Sequence, residues 1–262
     1  MTLDDSQHIP LGKDMIDLWL VKPDEIASQP LLAAYDQLMS ESERKKQQRF
    51  SSAKSRHDAL ITRAFVRTVL SKYAPLAQPV LPAQWLFTST NKGKPEIANA
   101  PIPLLFNLSH TQGLIVCAVA LTIDIGVDVE YLPRKNATMK IAEHKFSATE
   151  IAELKSQPEA NQHRRFFDYW TLKESYIKAV GDGLSIPLDQ FSFDIVDEHT
   201  IGLFIDQRRN DDASQWQSWL LQGSVDHRIA LSIKDSRRQP FQLRYFQTVP
   251  LVSSEEVSLP LV

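Results

Sequence analysis

Asp128, Glu130 and Glu174 are carboxylates that two short stretches could bring together, with the ammonium groups of Lys173 and Lys178 beside the last of them. The first stretch is "IDIGVDVEYL" (123–132), in which Ile123, Ile125, Val127 and Val129 alternate with Asp124, Gly126, Asp128 and Glu130. That alternation predicts a strand with one apolar face. Strand residues two apart share a face, so Asp128 and Glu130 stand side by side. Neighbouring carboxylates repel, and strands are poor in acids. A half-exposed strand with a polar outer face would accommodate them without any chemistry. Gly126 points elsewhere, because a glycine inside a strand often marks close approach of a ligand or another backbone.

The second stretch is "HRRFFDYWTLKESYIKAVGDG" (163–183). At about 100° per residue, Phe166, Trp170 and Ile177 fall on one side, flanked by Tyr169, Tyr176 and Val180. Lys173 lies inside this stripe, while Glu174 and Lys178 lie at its edge, four residues apart. A lysine among aromatics is costly unless it snorkels out or meets an anion. Taken alone, the helix allows a snorkelling Lys173 and a surface Glu174 and Lys178 pair contributing about 0.2–0.5 kcal/mol. If the strand packs beside the helix, the carboxylates and both lysines converge instead. Hard oxygen ligands of that kind suit Mg²⁺, which takes a few carboxylates plus substrate phosphates, and the lysines then supply charge for a phosphate.

The elements that must hold these groups follow a repeated order. "MIDLWLVK" (15–22) alternates as a strand, residues 24–50 are helical with an interruption at Pro30, and 56–74 is a helix. Pro75, Pro79 and Pro82 mark a linker, after which "WLFTST", "PLLFNLSH" and "LIVCAVAL" are strands. Past residue 122 come a strand, helices over 137–155 and 162–180, and strands beginning at "FSFDIV", "IGLFID", "WQSWLLQG" and "HRIALSIK". Ser147 and Glu150 form a capping box that opens a helix near residue 148. Strand, helices and strands, twice over, predict an α+β protein of two structurally similar halves, 1–121 and 122–262, with a tail from about residue 236.

Composition excludes several classes. The 262 residues are 43% hydrophobic and 23% charged, as in an ordinary globular protein. A net charge of −3 gives no global field for nucleic acid, although "RKKQQRF" is a local basic cluster. The single cysteine, Cys117, precludes an internal disulfide and suits a reducing cytoplasm. No apolar run approaches the roughly eighteen residues of a membrane span. The polar, acidic start "MTLDDSQHIPLGKD" is unlike a secretory signal.

"GVDVE" followed some forty residues later by "WTLKESYIKAVGDGLSIPL" resembles the paired signature of the 4′-phosphopantetheinyl transferases. "RKKQQRF" (44–50), "KGKPEI" (92–97), "FNLSHT" (106–111) and "DHRIALSI" (226–233) extend the resemblance in the family's order over roughly residues 15–235. The long chain is similar to the pseudo-dimeric Sfp-type class rather than to the short trimeric AcpS type.

The resemblance implies transfer of the phosphopantetheine arm of coenzyme A to a serine of an apo acyl, polyketide or peptidyl carrier protein, leaving 3′,5′-ADP. It implies Asp128, Glu130 and Glu174 as ligands of Mg²⁺, with Mn²⁺ as a substitute, and Glu174 as the base for the serine hydroxyl. Lys173 and Lys178 match lysines around the pyrophosphate. Ser109 and His110 match contacts to the 3′-phosphate side of coenzyme A, Lys94 a contact near the nucleotide, and Lys46 a basic phosphate contact. A cytoplasmic monomer that binds neither nucleic acid nor membrane is expected. Two other readings stay open: another Mg²⁺-dependent enzyme cleaving phosphoanhydrides, although no GxxxxGK[ST] loop is present, and a non-catalytic module binding coenzyme A or a carrier.

Overall fold

Pro30, where the helical stretch 24–50 is expected to be interrupted, sits in the first turn of a helix that opens there, and Ser40 and Glu43 form a capping box on the next. The computed structural model describes residues 2–3, 8–135, 138–181, 183, 186–197, 199–237 and 239–262. Positions 4–7 of the N-terminal stretch, and Asp182, Leu184 and Ser185 of the second motif, lie outside the described residues.

The first part of the chain runs β1 (Thr2–Leu3), β2 (Met15–Val21), α1 (Gln29–Leu38), α2 (Glu41–Gln48), α3 (Ala53–Ser71), β3 (Phe87–Ser89), β4 (Pro95–Ile97), β5 (Leu104–Thr111) and β6 (Leu114–Leu121). The second part runs β7 (Asp124–Tyr131), α4 (Thr138–Lys145), α5 (Ala148–Ser156), α6 (Glu159–Val180), β8 (Phe191–Asp197), β9 (Thr200–Ile205), β10 (Trp216–Ser224) and β11 (His227–Lys234). Two further strands close the chain, β12 (Gln242–Val249) and β13 (Ser253–Val257).

Alternation along the strands creates four layers. In the six-stranded sheet, ordered β1-β13-β12-β2-β6-β5, Trp19, Cys117 and Val119 face α3, where Phe65 and Val69 meet them. On the other face Leu18, Val116 and Ala118 pack against Val127, Val129, Ile229 and Leu231 of the three-stranded sheet β10-β11-β7. The far side of that second sheet carries α6, through Leu172, Tyr176, Leu220 and Ala230. The result is helix, sheet, sheet, helix, an α+β fold with the two sheets back to back.

The tail does not stay with 122–262, where its place in the chain would put it. β12 runs parallel to β2 in the first sheet, and the Arg244 guanidinium donates to both carboxylate oxygens of buried Asp17 at 2.7 Å. The last residues then cross to the other sheet. Gln222 N donates to Pro260 O at 2.8 Å and Val262 N to Leu220 O at 3.1 Å, so the C-terminus caps the edge of β10. The physical reason is that β12 carries its own alternating apolar side, with Leu243 and Tyr245 on the intersheet core and Phe246 stacked on Trp19.

Candidate active site

Gly126 decides how closely β7 and α6 approach. A Cβ built there would run into the carbonyl oxygen of Ser175 and the amide nitrogen of Ala179, both backbone atoms of α6. The close approach signalled by this glycine is therefore of a helix backbone, not of a ligand. With α6 pressed on β7, the face carrying Asp128 and Glu130 meets the helix edge carrying Glu174 and Lys178. Gly181, at φ 83°, ends α6 directly beyond.

Asp128 is the hub. Its Oδ1 accepts from Lys178 Nζ at 2.6 Å and from Ser109 Oγ at 2.9 Å, and Lys178 also donates to Ser109 Oγ at 2.8 Å. Asp128 is 5% exposed, and its second oxygen, Oδ2, is buried without a hydrogen-bond partner. Burial and the Asp128 charge push the Glu130 carboxyl up to about 7, against the pull of Arg134, whose Nη2 lies 3.0 Å from Glu130 Oε2. Burial first, and Asp128 second, also raise Glu174 above the usual carboxylate range.

Among the described residues, no three His, Cys, Asp or Glu side chains come together closely enough to hold a metal ion as they stand. Lys178 Nζ stands against Oδ1 of Asp128 at 2.6 Å. The chemistry of the carboxylates nevertheless suits a hard divalent cation. The partnerless buried Oδ2 of Asp128 and two neighbouring carboxyls raised by crowding and burial are oxygen donors that a positive charge would relieve.

Lys173 is a correction. It does not face the carboxylates but the opposite, buried side of α6, fully enclosed. Its Nζ lies 2.8 Å from Glu150 Oε2 and donates to the carbonyls of Leu188 and Phe191 at 2.7 Å each, over the Phe191 ring. All three ammonium protons are thus used inside the protein, and none is left for a pyrophosphate. Glu150, read from sequence only as a cap, holds both: it closes the box with Ser147 and accepts from Phe193 N at 2.9 Å.

Ser109 stands at the same hub. Its hydroxyl donates to Asp128 and accepts from Lys178 and from Val129 N at 3.3 Å, which exhausts one donor and two lone pairs. It ties α6, β5 and β7 together. His110, next along β5, is exposed; partial desolvation and the Lys178 ammonium lower its pKa.

Two adjoining cavities share the turn at 93–95. One, of about 270 Å³, is lined by Lys92, Lys94, Asn107, Glu174, Ile177 and Lys178. The other, of about 520 Å³, is lined by Lys46, Arg63, Ser89 and Gly93 among others. Within "RKK", Arg44 is held by Asp36 at 3.1 Å and Lys45 by Glu41 at 2.6 Å, whereas exposed Lys46 borders the cavity. Lys94 spans the two halves, donating to Ile125 O and Ala179 O at 3.4 and 3.3 Å. Arg67, which helical spacing alone would leave on the surface, is 3% exposed and grips Glu43 at 2.7 Å and the Trp85 carbonyl at 2.8 Å, fixing the cavity wall.

The profile of the 4′-phosphopantetheinyl transferase superfamily matches residues 124–232, from β7 to β11. The 4′-phosphopantetheinyl transferase HetI of Nostoc sp. is 35% identical over 180 residues, 68% of this chain and 73% of that protein. A 4′-phosphopantetheinyl transferase of Bacillus subtilis is 36% identical over 165 residues, covering 63% of this chain and 70% of its own length. The 4′-phosphopantetheinyl transferase gsp of Aneurinibacillus migulanus is 32% identical over 184 residues, 69% and 72% of the two chains.

Proposed function

The chain belongs to the 4′-phosphopantetheinyl transferase family, and we propose that it uses the cavity between the turn at 93–95 and α6 to move the 4′-phosphopantetheine arm of coenzyme A onto a serine of an apo carrier protein. Acyl, polyketide and peptidyl carriers all present such a serine. The product pair is a holo-carrier and 3′,5′-ADP.

The observation that carries this reading is the position of Glu174. It lines the smaller cavity together with Lys178 and the lysines of the turn, and burial beside Asp128 raises its pKa. A carboxylate whose pKa moves toward the working pH is a better general base. Glu174 takes the proton of the serine hydroxyl as that oxygen attacks the phosphorus next to the pantetheine arm, and the bond from that phosphorus to the departing 3′,5′-ADP breaks. Lys178, at the edge of the same cavity, offsets charge on the phosphates. Asp128, Glu130 and Glu174 would hold Mg²⁺, or Mn²⁺ in its place, and such an ion supplies positive charge for the phosphoanhydride oxygens. Lys46 and Lys94 border the cavities on the side assigned to the nucleotide, with His110 toward the 3′-phosphate.

In this reading 1–121 supplies the phosphate and nucleotide contacts and 122–262 the acidic motifs, except that the tail strands belong with the first sheet. One chain provides both walls, which supports a monomer. The sole cysteine is a buried free thiol, which fits a cytoplasmic setting, and no helix among the described residues is long and apolar enough to cross a membrane. The test is coenzyme A consumption with Mg²⁺ in the presence and absence of an apo-carrier. Strict dependence on the carrier is expected; consumption without it would identify a phosphoanhydride hydrolase instead.

A further inference from the structure

β7 has two edges, and among the described residues only one of them is paired by backbone. β11 hydrogen-bonds along one edge from Asp124 to Tyr131, while among the described residues no ladder joins β7 to β5, its neighbour on the other side. Unpaired backbone groups in a buried position are costly. Here three side chains of the first half take the place of a strand. Asn107 Oδ1 accepts from Val127 N at 2.9 Å, Ser109 Oγ accepts from Val129 N at 3.3 Å, and Lys94 Nζ donates to Ile125 O at 3.4 Å. The steps 107, 109 and 127, 129 rise together, so β5 and β7 run parallel at this seam, linked through side chains. Asn107 and Ser109 are 5% and 6% exposed, so water does not compete for these bonds.

Resting on the reading of Asp128 as part of the reaction centre, we propose that Asn107, with Ser109 and Lys94, is a positioning residue: its side chain holds the backbone on which Asp128 is carried. The N–H groups on either side of Asp128 are both fixed by it and Ser109. A side-chain ladder also lets the seam open toward the cavity, because Asn107 lines that cavity while it holds Val127. A full backbone pairing of β5 with β7 would close that space. Displacement of a reacting group by about 1 Å can cost about a hundredfold in rate. Loss of Asn107 therefore acts on turnover through Asp128 more than on the affinity for coenzyme A.

The experiment combines amide hydrogen exchange with kinetics on the full chain. Asn107→Leu removes the acceptor and keeps the volume; Asn107→Asp keeps an acceptor oxygen. Exchange at the Val127 amide is expected to rise about tenfold or more in Asn107→Leu, with amides of β6 unchanged, and to return toward wild type in Asn107→Asp. In the same variant kcat is expected to fall about 10–100-fold with the KM for coenzyme A within about threefold. Should Asn107→Leu not fold, Ser109→Ala is read at the Val129 amide, where faster exchange is expected. Unchanged protection at Val127 and Val129, equal loss of protection throughout β6, or a raised KM at constant kcat would each overturn the proposal. If wild type itself transfers nothing, the exchange arm still decides the ladder, and the failure falls on the proposed function.

Discussion

Lys173 and Glu150 form an ion pair of 2.8 Å whose two side chains have no solvent exposure. Consecutive residues of one motif thus do different work: Glu174 faces the cavity, and Lys173 locks α6 to α5. Breaking a buried pair from one side leaves a desolvated charge and costs about 3–5 kcal/mol. Lys173→Ala and Glu150→Gln are expected to lower unfolding free energy by that order in denaturant titrations. Folded Lys173→Ala should bind coenzyme A as wild type does. A stable variant with much weaker coenzyme A binding would return Lys173 to the phosphates.

That division of labour marks where sequence reading stops. The alternation in β7, the apolar stripe of α6 and the Ser147 and Glu150 cap are local patterns, and the structure matches them. The stripe also shows that Lys173 needs an anion or an escape to water. Which anion depends on how α5 and α6 cross, and nothing local encodes that. Ser109 is similar: a hydroxyl names no partner until β5, β7 and α6 are side by side. The tail is the extreme case, since Arg244 and Asp17 lie 227 positions apart and parallel pairing of β12 with β2 leaves no short-range signal.

Gly126 offers a packing test. Gly126→Ala would drive a methyl group into the α6 backbone, which cannot swing aside as a flexible side chain could. A loss of about 3 kcal/mol or more is expected in unfolding experiments. Gly202→Ala is the control, because its Cβ would meet only ordinary contacts from 3.5 Å outward, and it should be near neutral.

Glu130 gives a pH signature. With its carboxyl at about 7, against an ordinary 4.5, it is protonated in the folded, metal-free protein at mildly acidic pH. A raised folded value means that its contribution to stability is complete below about 4.5 and is lost as pH rises through about 7. A divalent cation must displace the proton. Calorimetry of Mg²⁺ binding in buffers of different ionisation enthalpy is expected to show more proton release at pH 6 than at pH 8, with the difference reduced in Glu130→Gln. Proton release that does not change between those pH values would remove Glu130 from the cation site.

The C-terminus is a structural tie between the sheets. Deleting residues 258–262 removes the cap on β10 and exposes a bare sheet edge. A fall in Tm of a few degrees and concentration-dependent association are expected by calorimetry and light scattering. An unchanged Tm would show that the cap contributes little.

The most direct test is the intact mass of an apo-carrier incubated with this protein, coenzyme A and saturating Mg²⁺, beside the same reaction with Glu174→Gln. Wild type is expected to add one phosphopantetheine to the carrier serine. The variant, which keeps the shape but loses the base, should bind coenzyme A within about tenfold yet transfer roughly 10²–10⁴ more slowly. A carrier whose mass never changes with wild type, or a Glu174→Gln protein that modifies it at near-normal rate, would contradict the account.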